Sequence, residues 1–304
     1  MPSSCNIYPN NLKRCQSAIL SGANFACQEG TINIGDELYA ASSIGNYRKN
    51  QEDAVILVTH PQNPDFKMLA VSDGMGGMDA GEYASDLVVR RMKEWFENLE
   101  PRYYEEPNQL YLFINQELKR ISNEIYREKG GTSGATYAGA IVTKKNTVIT
   151  NVGDSRAYLL RGQDFMQVSK DHSLAQEYFE EGRILYRDDM RFHIKSNVLT
   201  QALGSELEVR PYTRYIDNRD YDALILTTDG VTDCLSDLEL FVVSASTDKK
   251  ELAKKLVEES LNNNSHKDIN RPEFVNSIQA GKDNTTAAVY APKKSSQGED
   301  GFSM

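Results

Sequence analysis

The sequence predicts an α+β domain in which antiparallel sheet and long helices occupy separate stretches of chain. Three observations carry this expectation. Short apolar runs bounded by turn residues recur over 38–71 and again over 135–168, the pattern of strands joined by hairpins. Between those blocks the apolar period changes from two to about 3.6 residues, the mark of amphipathic helices. Nowhere do strands and helices alternate one for one, as a doubly wound parallel sheet requires.

Residues 1–35 show no clear period and are rich in Ser, Asn and Gly, so they read as an N-terminal extension without assigned order. The folded domain is expected to start near Leu38 and to span 36–292. Strands are predicted at 38–43, 54–58 and 68–71. A helix follows with Tyr83, Ala84, Leu87, Val88, Met92, Trp95, Phe96 and Leu99 on one face, and Asp79 can cap it. A second helix places Leu110, Ile114, Leu118, Ile121 and Ile125 inward and ends before Gly130-Gly131. Together these helices can cover one sheet.

The block 135–168 reads as antiparallel strands with turns at Lys144-Lys145-Asn146 and Arg161-Gly162. Ser173 opens a short helix containing Leu174, Ala175, Tyr178 and Phe179, which Gly182 stops. Residues 183–197 are charged and irregular. Segments 208–215 and 222–228 read as a further strand pair, 249–263 as a helix, 262–282 as a long loop and 284–290 as the last strand. A Lys-, Ser- and Gly-rich tail, 293–304, is expected to be disordered.

The net charge of −10 and pI near 5.1 exclude the electrostatic footprint of a nucleic-acid binder and leave carboxylates for a cation. No stretch approaches the roughly 18 uninterrupted apolar residues of a membrane helix. The start, Met1-Pro2-Ser3-Ser4-Cys5-Asn6, lacks a secretory signal pattern, so a cytoplasmic protein with no membrane partner is expected. Cys5, Cys15, Cys27 and Cys234 form no Cys-x-x-Cys pair and read as reduced thiols.

The chemistry lies in the aspartates. Three apolar runs end on one: Leu69-Ala70-Val71-Ser72-Asp73-Gly74, Val148-Ile149-Thr150-Asn151-Val152-Gly153-Asp154 and Leu224-Ile225-Leu226-Thr227-Thr228-Asp229-Gly230. Glu52 and Asp53 precede a strand, Asp233 follows Asp229 by one helical turn, and Asp283 begins the last strand. Any one of these is an ordinary turn or cap residue. Together, at Gly-flanked strand ends, they suggest an all-oxygen site for a hard divalent cation.

The motifs Gly45-x-x-Arg48-x-x-x-Glu52-Asp53, Asp73-Gly74-Met75-Gly76-Gly77, Gly153-Asp154-Ser155-Arg156, Asp229-Gly230-Val231-Thr232-Asp233 and Asp283-Asn284-x-Thr286 occur in this order. The chain thereby resembles the metal-dependent protein Ser/Thr phosphatases of the protein phosphatase 2C type, in their bacterial form, over about 38–291. Asp171-His172 and Asn197-Val198-Leu199-Thr200-Gln201-Ala202-Leu203-Gly204 resemble the segments flanking that family's flap, here about 174–197.

The resemblance implies two packed antiparallel sheets with helices outside and Mn²⁺ or Mg²⁺ between the sheets at one edge. Asp73 would bridge two ions, Asp229 and Asp283 would complete the first, and the Gly74 carbonyl with the Glu52-Asp53 pair would serve the second. Either member of that pair can be the direct ligand. Asp154 and Asp233 would hold a third ion, and Arg48 would hold the substrate phosphate. Two ions about 3.5–4 Å apart acidify a bridging water, and the resulting hydroxide attacks phosphorus in line. Gly74 lets its carbonyl approach a cation, and Gly76-Gly77 can adopt conformations closed to other residues.

One departure concerns Met75, where eukaryotic relatives carry a histidine, a candidate general acid. Methionine cannot donate a proton, so that acid is unassigned. His60, His172, His193 and His266 lack zinc-site spacing. No cysteine has an arginine six residues on, which excludes a cysteine phosphatase, and Asp220-Tyr221-Asp222 precedes a strand instead of following one, which excludes a haloacid-dehalogenase type. The competing reading is a catalytically silent relative serving as an interaction or sensing module. Every matched acidic position is present, which favours the enzyme, a monomer acting on phosphoproteins opposite a Ser/Thr kinase.

Overall fold

The computed structural model describes residues 5–6, 17–22, 29–76, 80–100, 107–205, 208–218, 221–266, 271–275 and 277–293. The chain begins with β1 (Cys5–Asn6), β2 (Ser17–Ser21), β3 (Gly30–Ile34), β4 (Leu38–Ser43), β5 (Asp53–His60) and β6 (Asn63–Gly76). Two long helices follow, α1 (Ala80–Glu97) and α2 (Pro107–Lys129). Next come β7 (Ser133–Ala135), β8 (Tyr137–Val142), β9 (Asn146–Val152), β10 (Arg156–Arg161) and β11 (Asp164–Gln167). Helix α3 (Leu174–Glu180) and a 3₁₀ helix (Arg187–Phe192) lead to β12 (Tyr212–Asp217) and β13 (Ala223–Thr227). The chain ends with α4 (Asp229–Thr232), α5 (Asp237–Ser246), α6 (Lys249–Asn262), the short strands β14 (Ser265–His266) and β15 (Ser277–Ile278), and β16 (Thr285–Tyr290).

Apart from the β14–β15 pair, the strands of the described residues form two sheets. One has the order β1-β3-β4-β16-β13-β10-β11, the other β12-β9-β8-β6-β5-β2 with β7 also on β6. Pairing is antiparallel except between β1 and β3. Strand β5 shows why the sheets stack as inner layers. Its Ala54, Ile56 and Val58 pack toward α1 and α2, while Val55 and Leu57 pack into the space between the sheets. Both faces are buried, so the strand reads as a continuous apolar run. In β13, Leu224 and Leu226 face inward, and Ala223 and Ile225 lie under α5 and α6. The layers are therefore α/β/β/α.

Helix α2 buries Leu110, Ile114, Leu118, Ile121 and Ile125 completely, as their spacing predicts. Each contributes about 1.5–3 kcal/mol by leaving water. Ser173 caps α3 through its side chain, as expected. Ala175, Ile184, Met190, Phe192 and Phe274 make a small core of their own around the 3₁₀ helix, apart from the three larger ones.

Three expectations are corrected and one helix is added. The sheets start before Leu38: β2 pairs with β5 and β3 with β4, and Leu20, Ile32 and Ile34 enter the core between the sheets. Each strand has only five residues, too few to register as a period. Segments 208–215 and 222–228 do not pair with each other, because β12 joins β9 while β13 lies between β10 and β16 in the opposite sheet. Helix α5 was not foreseen, although Ser236 and Glu239 form a capping box that marks its start. The 262–282 segment contains the paired β14 and β15.

Cys234 is a buried thiol outside any disulfide, and its Sγ donates to the Gln279 carbonyl at 3.7 Å. The readings of Asp79 as a cap, of Gly77, of the other three cysteine side chains and of the tail from 294 lie outside the described residues. Among the described residues no helix is long and apolar enough to cross a membrane.

Candidate metal centre

Strand direction brings the predicted acids to one edge. Strand β5 begins at Asp53 and its antiparallel neighbour β6 carries Asp73 near its end, so the two residues are direct cross-strand partners. In the other sheet β13 ends just before Asp229, and its antiparallel neighbour β16 starts just after Asp283. Strand β9, which runs parallel to β6 across β8, delivers Asp154 to the same end. Thr228 Oγ1 donates to Asp53 Oδ2 at 2.8 Å and closes the two sheets over this edge.

Like charges directly opposite on neighbouring strands repel. Burial, then the charges of Asp229, Asp53 and Asp283, push Asp73 well above the usual carboxylate range. The Asp73 and Asp229 carboxyls, one from each sheet, stand close enough to shift each other's titration. Asp229 is itself pushed up to about 6 by burial and by Asp283. Asp53 is only 1 % exposed, and burial lifts it to about 8 despite hydrogen bonds from Thr286 and Thr228 that oppose the shift. Asp53 Oδ1 and Asp229 Oδ1 are buried with no hydrogen-bond partner.

Gly74 shows why this position tolerates no side chain. A Cβ there would meet the Gly81 carbonyl oxygen at 2.0 Å and that of Glu52 at 2.8 Å. The Gly74 N–H donates to the Glu52 carbonyl at 3.0 Å, which ties the two expected ligand segments together.

The connection between β4 and β5 carries Arg48 and Glu52. Arg48 donates to Asp283 Oδ2 at 2.5 Å and to Glu52 Oε2 at 3.3 Å, with 44 % of its side chain exposed. Asn284, 2 % exposed, holds the loop closed. Its Oδ1 accepts from Glu52 N at 2.8 Å, and its Nδ2 donates to the carbonyls of Ile44 at 2.9 Å and Asn50 at 3.0 Å.

A second acidic group lies beside the first. Asp154, Asp171, Asp229 and Asp233 line one small cleft with Arg156 and Arg191. Burial followed by Asp229, Asp171 and Asp233 raises Asp154 well above its ordinary value, and burial with Asp229 raises Asp233 to about 8. Arg156 makes a buried ion pair with Asp171 at 2.7 Å. Arg191, next to the 3₁₀ helix core, donates to the Asp233 carbonyl at 2.8 Å and pairs with Asp188 at 3.1 Å.

Among the described residues no three His, Cys, Asp or Glu side chains stand as a ready-made metal cage. The donor chemistry nevertheless fits a hard cation: crowded carboxylates whose charged forms burial and mutual repulsion disfavour, and two orphaned buried oxygens, are what a divalent ion would relieve. Sequence reasoning missed the roles of Thr228, Asn284, Asp171 and Arg191. Thr228 and Asn284 adjoin the marked aspartates, but only the fold shows that their side chains reach across to other strands.

A family model described as protein phosphatase 2C matches residues 46–266. The chain is 33% identical over 202 residues to the serine/threonine phosphatase Stp of Listeria welshimeri, an alignment covering 64% of this chain and 78% of that protein. It is 28% identical over 220 residues to the protein phosphatase PhpP of Streptococcus pneumoniae, covering 67% and 82% respectively. The crystal structure of serine/threonine phosphatase Stp1 from Staphylococcus aureus superposes with a TM-score of 0.73 at 28% identity, over 84% of this chain and 95% of that one. The catalytic domain of the phosphatase PstP, crystallised with two manganese ions, superposes with a TM-score of 0.64 at 25% identity, over 84% and 96%.

Proposed function

Because the chain belongs to the protein phosphatase 2C family, we propose that its carboxylate edge is the metal centre of an enzyme that hydrolyses phosphoserine and phosphothreonine monoesters on proteins. The observation that carries the reading is the cross-strand pair Asp53 and Asp73 facing Asp229 and Asp283 at the adjoining strand ends of the other sheet. Four acids from both sheets crowd one edge and demand positive charge.

In this reading Asp73 would serve both of two divalent ions, Mn²⁺ or Mg²⁺, Asp229 and Asp283 would hold one, and the Gly74 carbonyl with the Glu52-Asp53 pair would hold the other. Asp154 and Asp233 would provide for a third. When bound, such ions neutralise developing charge on phosphate and acidify water enough to make it a nucleophile near neutral pH. The exposed planar fork of Arg48 can turn from Asp283 and Glu52 to grip two phosphoryl oxygens. Asn284 and Thr228 keep these groups in register. Met75 has no proton to give, so the leaving alkoxide takes its proton from water or another side chain. The same reading makes the protein a cytoplasmic monomer acting on phosphoproteins opposite a Ser/Thr kinase.

Phosphate release from a phosphothreonine peptide, with Mn²⁺, with Mg²⁺ and with a chelator, tests the proposal. Wild-type turnover should require the cation, and Asp229→Asn should lower kcat/KM about a hundredfold or more. Turnover that survives chelation, or a variant as active as the wild type, would sink it.

A further inference from the structure

We propose that the segment upstream of the family match is part of the active-site scaffold, with Gly22 and Glu29 acting as positioning residues for the loop that presents Arg48 and Glu52. The inference rests on the phosphatase reading above. The family match begins at residue 46, whereas β2 and β3 lie wholly before it. Their registers set Ser21 opposite Ala54 and Gly30 opposite Ser42, so each strand reaches a different end of the 44–52 loop.

At the far end of that loop Gly22 lies against the Gln51 backbone. A Cβ on residue 22 would sit 2.2 Å from the Gln51 carbonyl oxygen and 2.8 Å from the Glu82 carboxyl. The adjoining Glu52 is fixed on both sides of its peptide, since its N–H goes to Asn284 and its carbonyl accepts from Gly74 and Ser85. A side chain at 22 therefore forces residue 22 and the peptide before Glu52 apart, and any shift on the loop side is passed to Glu52. At the near end, Glu29 Oε2 accepts from Ile44 N at 3.4 Å and from Ser43 Oγ at 3.5 Å. Gly45 N in turn donates to Ser43 Oγ at 3.3 Å.

The segment is itself held firmly enough to brace something. Leu20, Ile32 and Ile34 are buried between the sheets, and Ser21 Oγ donates to Asp86 Oδ1 of α1 at 2.6 Å. Capping a sheet edge requires only backbone pairing. Contact with both ends of one loop is a further property, and it falls on the loop that bears the phosphate-gripping arginine.

The test compares wild type with Gly22→Ala, Glu29→Ala, Glu29→Gln and, at the far end of β2, Ser17→Ala. Two readouts are taken: KM for a phosphothreonine peptide and the Mn²⁺ concentration giving half the melting-temperature shift. Gly22→Ala should raise both about tenfold or more, because a displacement near 1 Å at a reacting site is felt on that scale. Glu29→Ala should raise KM several-fold, and Glu29→Gln, which keeps an acceptor for Ile44 N, should restore it. Ser17→Ala should change neither. Wild-type values for both Gly22→Ala and Glu29→Ala overturn the proposal, and if Gly22→Ala fails to fold, the two Glu29 variants decide. A wild type without metal-dependent turnover removes the phosphatase reading instead, and the Mn²⁺ melting shift then decides the scaffold role alone.

Discussion

Asn284 concentrates much of the site's geometry in one side chain. A buried carboxamide offers one acceptor oxygen and two donor hydrogens, and here it engages Glu52 N, Ile44 O and Asn50 O at 2.8–3.0 Å. Truncation to alanine removes three bonds made from a buried side chain to partly buried partners, at a cost on the order of 3 kcal/mol. Because Arg48 lies between the pinned residues, the loss should appear in catalysis too. Asn284→Ala should shift the urea midpoint down and raise KM for a phosphopeptide. Asn284→Asp should not rescue it, since a carboxylate keeps the acceptor for Glu52 N but faces two carbonyls with no hydrogen to give. Unchanged KM in Asn284→Ala would separate this clamp from phosphate binding.

Among the elements, those with a long or sharply bounded pattern were legible and those specified by partners elsewhere were not. Helix α2 declares itself through five apolar positions at helical spacing, and β5, β6 and β13 through apolar runs that end or begin at an acid. The aspartates could be nominated because each marks a strand end, yet their meeting depends on sheet order, which no local signal encodes. Strands β12 and β13 illustrate the limit: near neighbours in sequence, they belong to different sheets. Residues 183–197 read as charged and irregular, but the fold gives them a private apolar core and a tie to the acidic edge through Arg191. With that core separate from the main ones, the segment should open independently. Arg191→Ala removes the donor to the Asp233 carbonyl and the pair with Asp188, so amide hydrogen exchange should accelerate across 183–197. Exchange in α2 and β5 should stay as in the wild type. Faster exchange throughout the chain would show instead that the segment is continuous with the main body.

At the scale of the whole molecule, the acidic edge sets stability against function, and pH exposes the conflict. Asp229 titrates at about 6 and Asp53 and Asp233 at about 8 in the folded protein without metal, against an ordinary value of 3.8. Each group therefore holds its proton more tightly folded than unfolded. The stability linked to those protons is complete below pH 3.8 and is lost as pH rises through 6 and then 8. A divalent cation inverts the balance, because it binds the deprotonated carboxylates and only the folded chain gathers them. Asp53→Asn isolates one member of the cluster with little change of shape and keeps an oxygen for Thr228. In chelator the variant should melt above the wild type at pH 8, and the gap should close as pH falls toward 4. With saturating Mn²⁺ the order should reverse at pH 8, since the wild type gains a ligand that the variant has given up. Calorimetry of both proteins at several pH values, with and without Mn²⁺, reads all three differences. An Asp53→Asn protein that melts below the wild type in chelator at pH 8 would mean that Asp53 is a net stabiliser without metal, and that the edge is not held under electrostatic tension.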